Sequence, residues 1–502
     1  MRILSDEEYQ KQIECLNAEQ KKAVLFNQQW CKEFVIAVNN SLPRPDAYHI
    51  FLSGPGGVGK SHVIRLVHTD CIKLLRSCRP NGEEMYAPDN ICVLLTAPTC
   101  TAAFNIGGLT LHSALLLNPD YSKLSADKLN TLQTILCKLT LLIIDEISMV
   151  GSDFLVQIDK RLRLIKGDDR PFGGLSILAV GDLYQLPPVR QRSVFSVSRD
   201  AMCQLQGSIW QLSFKLVEQT QNMRQRDSGF ADILNRIRVG TCTKSDEQIL
   251  STRLLNFDKE HSEYPIDVIH IFGTNKECDE HNMYCLERTG SEVFTLTAVD
   301  SKLDKLTKSV KTVDVVKDDD ICGLRKDIFV AVGARVMLIA NLDVSDGLVN
   351  GVTGIIRGII QHGQSVVAIQ VQFDDTNVGQ KAARINEYYL EYPQCVSITR
   401  HNACSTYGKD NTVAVTRSQF PLRLAFACTI HKVQGMTLDR VVISMKSRFF
   451  HGQAYVALSR VKTLQGLYLL DFNKKKIICN KDVTREMNRL QQKKIVVAES
   501  IE

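Results

Sequence analysis

Residues 54–61, "GPGGVGKS", set four glycines ahead of a lysine and a serine. The order fits G-x-x-x-x-G-K-[ST]. In that pattern Gly54, Pro55, Gly56, Gly57, Val58 and Gly59 wrap their backbone N–H groups around a phosphate. Lys60 then reaches the outer oxygens, and the Ser61 hydroxyl is a ligand for Mg²⁺. A glycine-rich turn with a chance lysine is the bland alternative; an apolar run before the loop and helical spacing after it favour the phosphate site. "LLIIDEISM" (141–149) supplies a second half, four apolar residues ending on Asp145 and Glu146. At the carboxyl edge of a strand the first carboxylate suits Mg²⁺ and the second suits polarising a water. "GDLYQLPPV" (181–189) holds Gln185 stiffly ahead of two prolines. A glutamine there can orient the attacking water or sense a γ-phosphate, or it can be a polar turn residue bonded to its own backbone. The chemistry these residues share is hydrolysis of a nucleoside triphosphate such as ATP.

Such a site needs strands that end together. "AYHIFLSG" (47–54), "NICVLLTAPT" (90–99), "KLTLLIIDE" (138–146) and "LSILAVGD" (175–182) are apolar enough to be buried on both faces. "KSHVIRLVHTDCIKLL" (60–75) spaces Val63, Ile64, Val67, Cys71 and Leu74 as one helical face. The expected fold is α/β with parallel sheets. Residues 203–290 continue in that style, with a strand at 267–275. Between about 300 and 400 the pattern turns β-rich ("VGARVMLIANLD", "NGVTGIIRGII", "SVVAIQVQFDD"), which predicts a small barrel, and α/β character returns after "LAFACTIHK" (424–432). The expected division is 1–200 as a first α/β domain, 201–300 with 401–480 as a second, 301–400 as a β-rich insertion, and 481–502 as a tail.

Bulk properties bound the function classes. A chain of 502 residues allows roughly three or four domains. It is 44% hydrophobic and 23% charged, and no apolar run is long enough to span a membrane. "MRILSDEEYQKQIE" is too acidic for a transit peptide and lacks the apolar core of a signal peptide. Sixteen cysteines without a CxxC point to a reducing compartment rather than a zinc site. A net charge of +6 permits a polyanionic partner without requiring one, and the basic run 473–481 reads as a solvated face.

The ordered motifs carry a resemblance. The phosphate loop, "TAPTCTAAFNIGGLTLHS" (96–113), "DEISM", "GDLYQLPPV", "LVEQTQNMRQRD" (216–227), "LAFACTIHKVQGMTLDRVVI" (424–443) and "GQAYVALSRV" (452–461) follow the order of superfamily-one helicases. Over residues 16–472 the chain resembles the Pif-type, RecD-like branch of DNA helicases. In detail it is similar to the helicases of Helitron transposons. Cys100 and Val433 depart from the glycine and serine common at those positions.

The resemblance implies two RecA-like domains with ATP between them and an SH3-like fold for the insertion. It implies γ-phosphate contacts from Arg224 in "QNMRQ" and Arg460 in "ALSR". Gln20 in "LNAEQKKAV" is placed to read adenine, although Asn17 and Gln20 also spell an N-x-x-Q capping box. Thr99, His112, His431 and Lys432 would face nucleic acid, and 114–135 would hold a strand-separating wedge. The helix expected at 151–168 buries Phe154, Leu155, Ile158, Leu162 and Ile165, with Lys160, Arg161, Arg163 and Lys166 largely elsewhere. The implied activity is an ATP- and Mg²⁺-dependent helicase moving 5′ to 3′ on single-stranded DNA and opening forks, monomeric, in the nucleus or the cytoplasm. An RNA-directed motor and an inert nucleic-acid clamp are the alternatives.

Overall fold

The computed structural model describes residues 3–117, 124–225, 227–256, 260–304, 310–312, 323–407 and 413–495. Six parallel strands form the first sheet: β1 (His49–Ser53), β2 (Val93–Ala97), β3 (Leu109–Thr110), β4 (Leu141–Ile144), β5 (Ser176–Gly181) and β6 (Lys215–Glu218), in the order β3-β2-β4-β5-β1-β6. Period-two alternation divides their side chains between two cores. Phe51, Leu142, Ile144, Ile177 and Ala179 enter one. Ile50, Leu52, Leu141, Ile143, Leu178 and Val180 enter the other. Burial on both faces explains why these strands read as continuous apolar runs. The sheet continues past residue 200, because β6 pairs with β1.

The second parallel sheet begins with β7 (His270–Phe272). Before its remaining strands come eleven others: β8 (Phe294–Thr297), β9 (Val299–Asp304), β10 (Val310–Thr312), β11 (Asp327–Val330), β12 (Arg335–Leu338), β13 (Thr353–His362), β14 (Ser365–Phe373), β15 (Val396–Ile398), β16 (His401–Tyr407), β17 (Val413–Gln419) and β18 (Leu422–Leu424). They overrun the 301–400 window at both ends. Their pairing is antiparallel, in sheets ordered β15-β14-β13-β12-β18, β10-β9-β17-β16 and β11-β8. Among the described residues this pairing leaves the five-stranded sheet open where a small barrel was expected, with β8 and β11 packed onto its core through Leu296, Ile328 and Val330. Register shifts at Ile356/Gly358 and Ile360/Gln361 disturb the β13–β14 ladder, as bulges do. The chain then completes the second sheet with β19 (Ala427–Thr429), β20 (Val441–Ile443) and β21 (Leu467–Leu469), in the order β19-β7-β20-β21. The helices Ser228–Val239 and Gln453–Leu458 pack on it through Phe230, Ile233, Leu234, Val456 and Leu458.

Two expectations about helices need correction. Residues 481–491, read as part of a tail, form a helix whose Val483, Met487 and Leu490 complete the first sheet's core. Arg161, placed off the apolar stripe with the other basic residues, is nevertheless buried in the helix Ser152–Lys166 and donates to the carbonyls of Leu115 (2.8 Å) and Leu116 (2.9 Å). The predicted apolar stripe of that helix is buried throughout. The middle of the wedge segment, 118–123, lies outside the described residues. Among the described residues no helix is long and apolar enough to cross a membrane.

Candidate active site

β4, β5, β1 and β6 are neighbours, so the loops leaving their carboxyl ends converge. The loop after β1 enters the helix Lys60–Leu75 through Gly59, whose φ of 81° is left-handed and which gives no side-chain cap. The first N–H groups of that helix are therefore available to an anion. Gly57 also has a left-handed φ, 92°, and a Cβ there would lie 2.5 Å from the Arg224 Cβ. Glycine at 57 is thus required both by conformation and by the close approach of the arginine segment.

The Lys60 ammonium curls over the loop, donating to the carbonyls of Gly54 (2.7 Å) and Pro55 (3.0 Å). Burial pulls its pKa down, against the opposing charges of Asp182, Glu146 and Asp145. Asp145 is buried and accepts the N–H of Glu146 at 2.8 Å. Burial and the adjacent Glu146 charge push its carboxyl up to about 7. A carboxylate that the protein itself stabilises so poorly is suited to a cation, and the Ser61 hydroxyl opens onto the same cleft. The pair fits Mg²⁺. Glu146 has a left-handed backbone (φ 48°) and accepts from Gln434 Nε2 at 3.2 Å.

Gln185 is 4% exposed; its backbone N–H closes a turn on the Asp182 carbonyl (3.0 Å) and its Nε2 donates to Asp182 Oδ2 (3.3 Å). It meets the turn reading and still lines the cleft. Asp182 is itself fully buried and held by Arg238, through Nε at 2.9 Å and Nη2 at 2.8 Å. Burial opposes the Arg238 charge, and Asp182 outweighs it, raising the guanidinium pKa.

Arg224 and Arg460 reach the loop from the other side. A Cβ on Gly56 would lie 3.2 Å from Arg460 Nη2 and 3.6 Å from Arg224 Nη1. Arg224 donates to the Ser459 carbonyl (2.9 Å); Arg460 donates to the Val456 carbonyl (2.7 Å) and to Ser459 Oγ (2.8 Å). Neither guanidinium bonds a carboxylate among the described residues. Burial and the neighbouring Arg224 charge lower Arg460 to about 10. A buried and a half-buried cation that repel each other call for an anion between them.

A cleft of about 720 Å³ gathers Gly56, Gly57, Gly59, Lys60, Ser61, Asp145, Glu146, Gln185, Arg224 and Arg460. Gly54, Pro55, Val58 and Gln20 stand behind it. Gln20 realises the capping box, its Oε1 accepting from Asn17 N–H (3.0 Å), while its Nε2 donates to the Val58 carbonyl (2.8 Å). One N–H of that amide remains for the adenine-reading alternative.

An adjoining cavity of about 560 Å³ shares Ser61, Asp145 and Glu146 with the cleft and is lined by Thr99, His431 and Lys432. Thr99 caps the helix Cys100–Asn105, and Lys432 donates to Asn350 Oδ1 at 3.0 Å. Asn341 Nδ2 meets Cys100 Sγ at 3.0 Å, and Thr101 Oγ1 donates to the Asn350 carbonyl at 2.6 Å. His112 does not join them; it is exposed elsewhere, stacked on Phe154 at 4.7 Å. Sequence reasoning missed Arg238, Asn341, Asn350 and Tyr455, whose hydroxyl accepts the Gly56 N–H at 2.8 Å. Tyr455 lies in a short, wholly buried helix and Arg238 in a helix packed on the second sheet, and only the fold brings them to the loop.

Comparison with known proteins agrees with this geometry. A family model described as PIF1-like helicase matches residues 15–248, and one for the 2B domain of DNA helicase Pif1 matches 327–359. The chain is 31% identical over 427 residues to the ATP-dependent DNA helicase Pif1 of Campylobacter jejuni, covering 82% of this chain and 86% of that protein. It is 30% identical over 469 residues to the ATP-dependent DNA helicase PIF1 of Xenopus laevis, covering 90% of this chain and 64% of that protein. The chain thus spans less than two thirds of the length of that relative. The crystal structure of Pif1 helicase from Bacteroides with ADP-AlF3 and ssDNA is similar with a TM-score of 0.65 and 28% identity, over 89% of this chain and 95% of that one. With two parallel sheets, a phosphate loop facing paired arginines and a relative matched along most of its length, this chain belongs to the PIF1-like helicase family.

Proposed function

We propose that the chain is an ATP-hydrolysing motor that advances 5′ to 3′ along single-stranded DNA, as a monomer acting in the nucleus, and separates the strands of duplexes and forks. The observation that carries the reading is the pair of arginines over Gly56, which bond no carboxylate among the described residues and leave the phosphate-loop cleft with unmatched positive charge. The similarity to the ATP-dependent DNA helicase PIF1 of Xenopus laevis, and to the Bacteroides structure with ssDNA and ADP-AlF3, supports it.

In this reading Lys60 and the loop N–H groups bind the phosphates, and Arg224 with Arg460 meet the charge that develops on the transferring group. Glu146 takes the proton of the attacking water and Gln185 orients that water. Mg²⁺ on Ser61 and Asp145 would neutralise phosphate charge. Arg460 belongs to the second sheet's layer, so loss of the terminal phosphate leaves its repulsion from Arg224 unbalanced and loosens that layer from the loop. Thr99 and the His431–Lys432 pair line the adjoining cavity from different elements, so the same motion would change the grip on a strand lying there.

The test is steady-state ATP turnover without polymer, with single-stranded DNA and with matched RNA, using Lys60→Ala as the blank. Stimulation by DNA, with Lys60→Ala silent, is expected. Equal stimulation by RNA would move the substrate to RNA. Turnover no higher than the blank, with DNA still bound, would make the chain a clamp.

A further inference from the structure

Tyr455 lies on the helix Gln453–Leu458, five residues before Arg460 and in the same layer, and its oxygen accepts the N–H of Gly56 where that layer meets the phosphate loop. The side chain is 3% exposed. Among the described residues no acceptor faces its own O–H proton. Burial, reinforced by the Asp182 charge, pushes the phenol up to about 12, so the proton stays on at neutral pH. The oxygen lies 3.5 Å from where a Gly56 Cβ would be, beside the two guanidiniums. Three donors, one neutral and two cationic, therefore converge on one side of the loop.

The placement is enforced from the helix start. A Cβ on Gly452 would lie 2.5 Å from the Gln185 carbonyl oxygen, so the glycine lets the helix begin directly against the Gln185 turn. A phenylalanine would fill the same space. The hydroxyl adds one accepted bond, which polarises the O–H, and one donor with nowhere to go, and buried donors left unpaired are costly.

We infer that Tyr455 donates its phenolic hydrogen to the terminal phosphate of a bound nucleoside triphosphate, as a third ligand beside Arg224 and Arg460, and thereby makes this layer discriminate tri- from diphosphate. The inference rests on the hydrolase reading above and adds to it a specificity-determining residue.

The experiment compares full-length wild type and Tyr455→Phe in calorimetric titrations with ADP and with a non-hydrolysable ATP analogue carrying a γ-phosphate. A hydrogen bond to a charged group corresponds to a loss of roughly tenfold or more. The variant should therefore lose about that factor in affinity for the analogue while its ADP affinity stays within about twofold. Unchanged affinity for both, or an equal drop for both, would overturn the assignment, the second outcome meaning that the hydroxyl only supports the loop. Wild-type protein that binds neither nucleotide would overturn the hydrolase reading, and Tyr455 with it.

Discussion

His68 lies eight residues beyond Lys60 on the helix that follows the phosphate loop, 5% exposed and with no partner for Nδ1 among the described residues. Burial, more than the nearby positive charges, lowers its pKa from 6.5 to about 4. The folded state therefore takes up this proton less readily than the unfolded chain, so its contribution is fully present above pH 6.5 and drains away as pH falls towards 4. The two values correspond to about 2 kcal/mol lost between pH 7.5 and pH 5. Urea unfolding at those two pH values should show wild type losing that much more stability than His68→Met; equal losses would place the acid sensitivity elsewhere. At this scale the motif residues were legible, because a phosphate loop is a local object whose eight positions are consecutive. Gln20 and Gln185 were each readable two ways for a physical reason. An amide has enough donors and acceptors to cap or close a turn and still present a group to a ligand.

The helix Lys481–Gln491 shows what an element contributes beyond its own residues. Trp210 Nε1 donates to Glu486 Oε1 at 2.9 Å, and Arg489 bonds the same carboxylate at 2.6 Å. The following residues then join the exposed edge of β6, where Ile495 N–H donates to the Leu216 carbonyl at 2.9 Å. An unpaired edge strand is a liability, and this segment covers it. Leu490→Ala should cost about 2–5 kcal/mol in denaturant unfolding, as buried leucines do. Leu205→Ala, at a site 84% exposed, should stay within about 0.5 kcal/mol. A Leu490 variant as stable as the Leu205 control would mean that the helix is dispensable packing. Read as sequence, 481–502 looks like a tail because its apolar positions are few and its charges many. The burial of the helix 481–491 and the pairing of Ile495 depend on Trp210 and Leu216, more than 260 residues earlier.

Across the whole molecule, Asp182 and Arg238 join the two parallel layers. Asp182 directly follows β5 of the first sheet, Arg238 belongs to a helix on the second, and Tyr184 lies under the guanidinium at 4.6 Å. Breaking one partner of a buried pair strands a charge, so Asp182→Asn should destabilise by roughly 3–5 kcal/mol. Arg238→Met added to it should recover part of that loss, and a double-mutant cycle reads the coupling directly. Purely additive losses would show that the pair does not hold the layers together. The amino-acid sequence by itself determined the parallel α/β character, the phosphate loop, the strand-end carboxylates and the alternation from α/β to β-rich and back. Those features are written in periods of two and 3.6 residues and in short motifs, which need no distant partner. Only the tertiary structure decided that His112 stands apart from the cavity of Thr99, His431 and Lys432, that Arg161 is buried, that the β-rich strands run from Phe294 to Leu424 in open sheets, and that Tyr455 meets Gly56. Each of these depends on which surfaces pack together across hundreds of residues, and residue type alone carries no record of that choice.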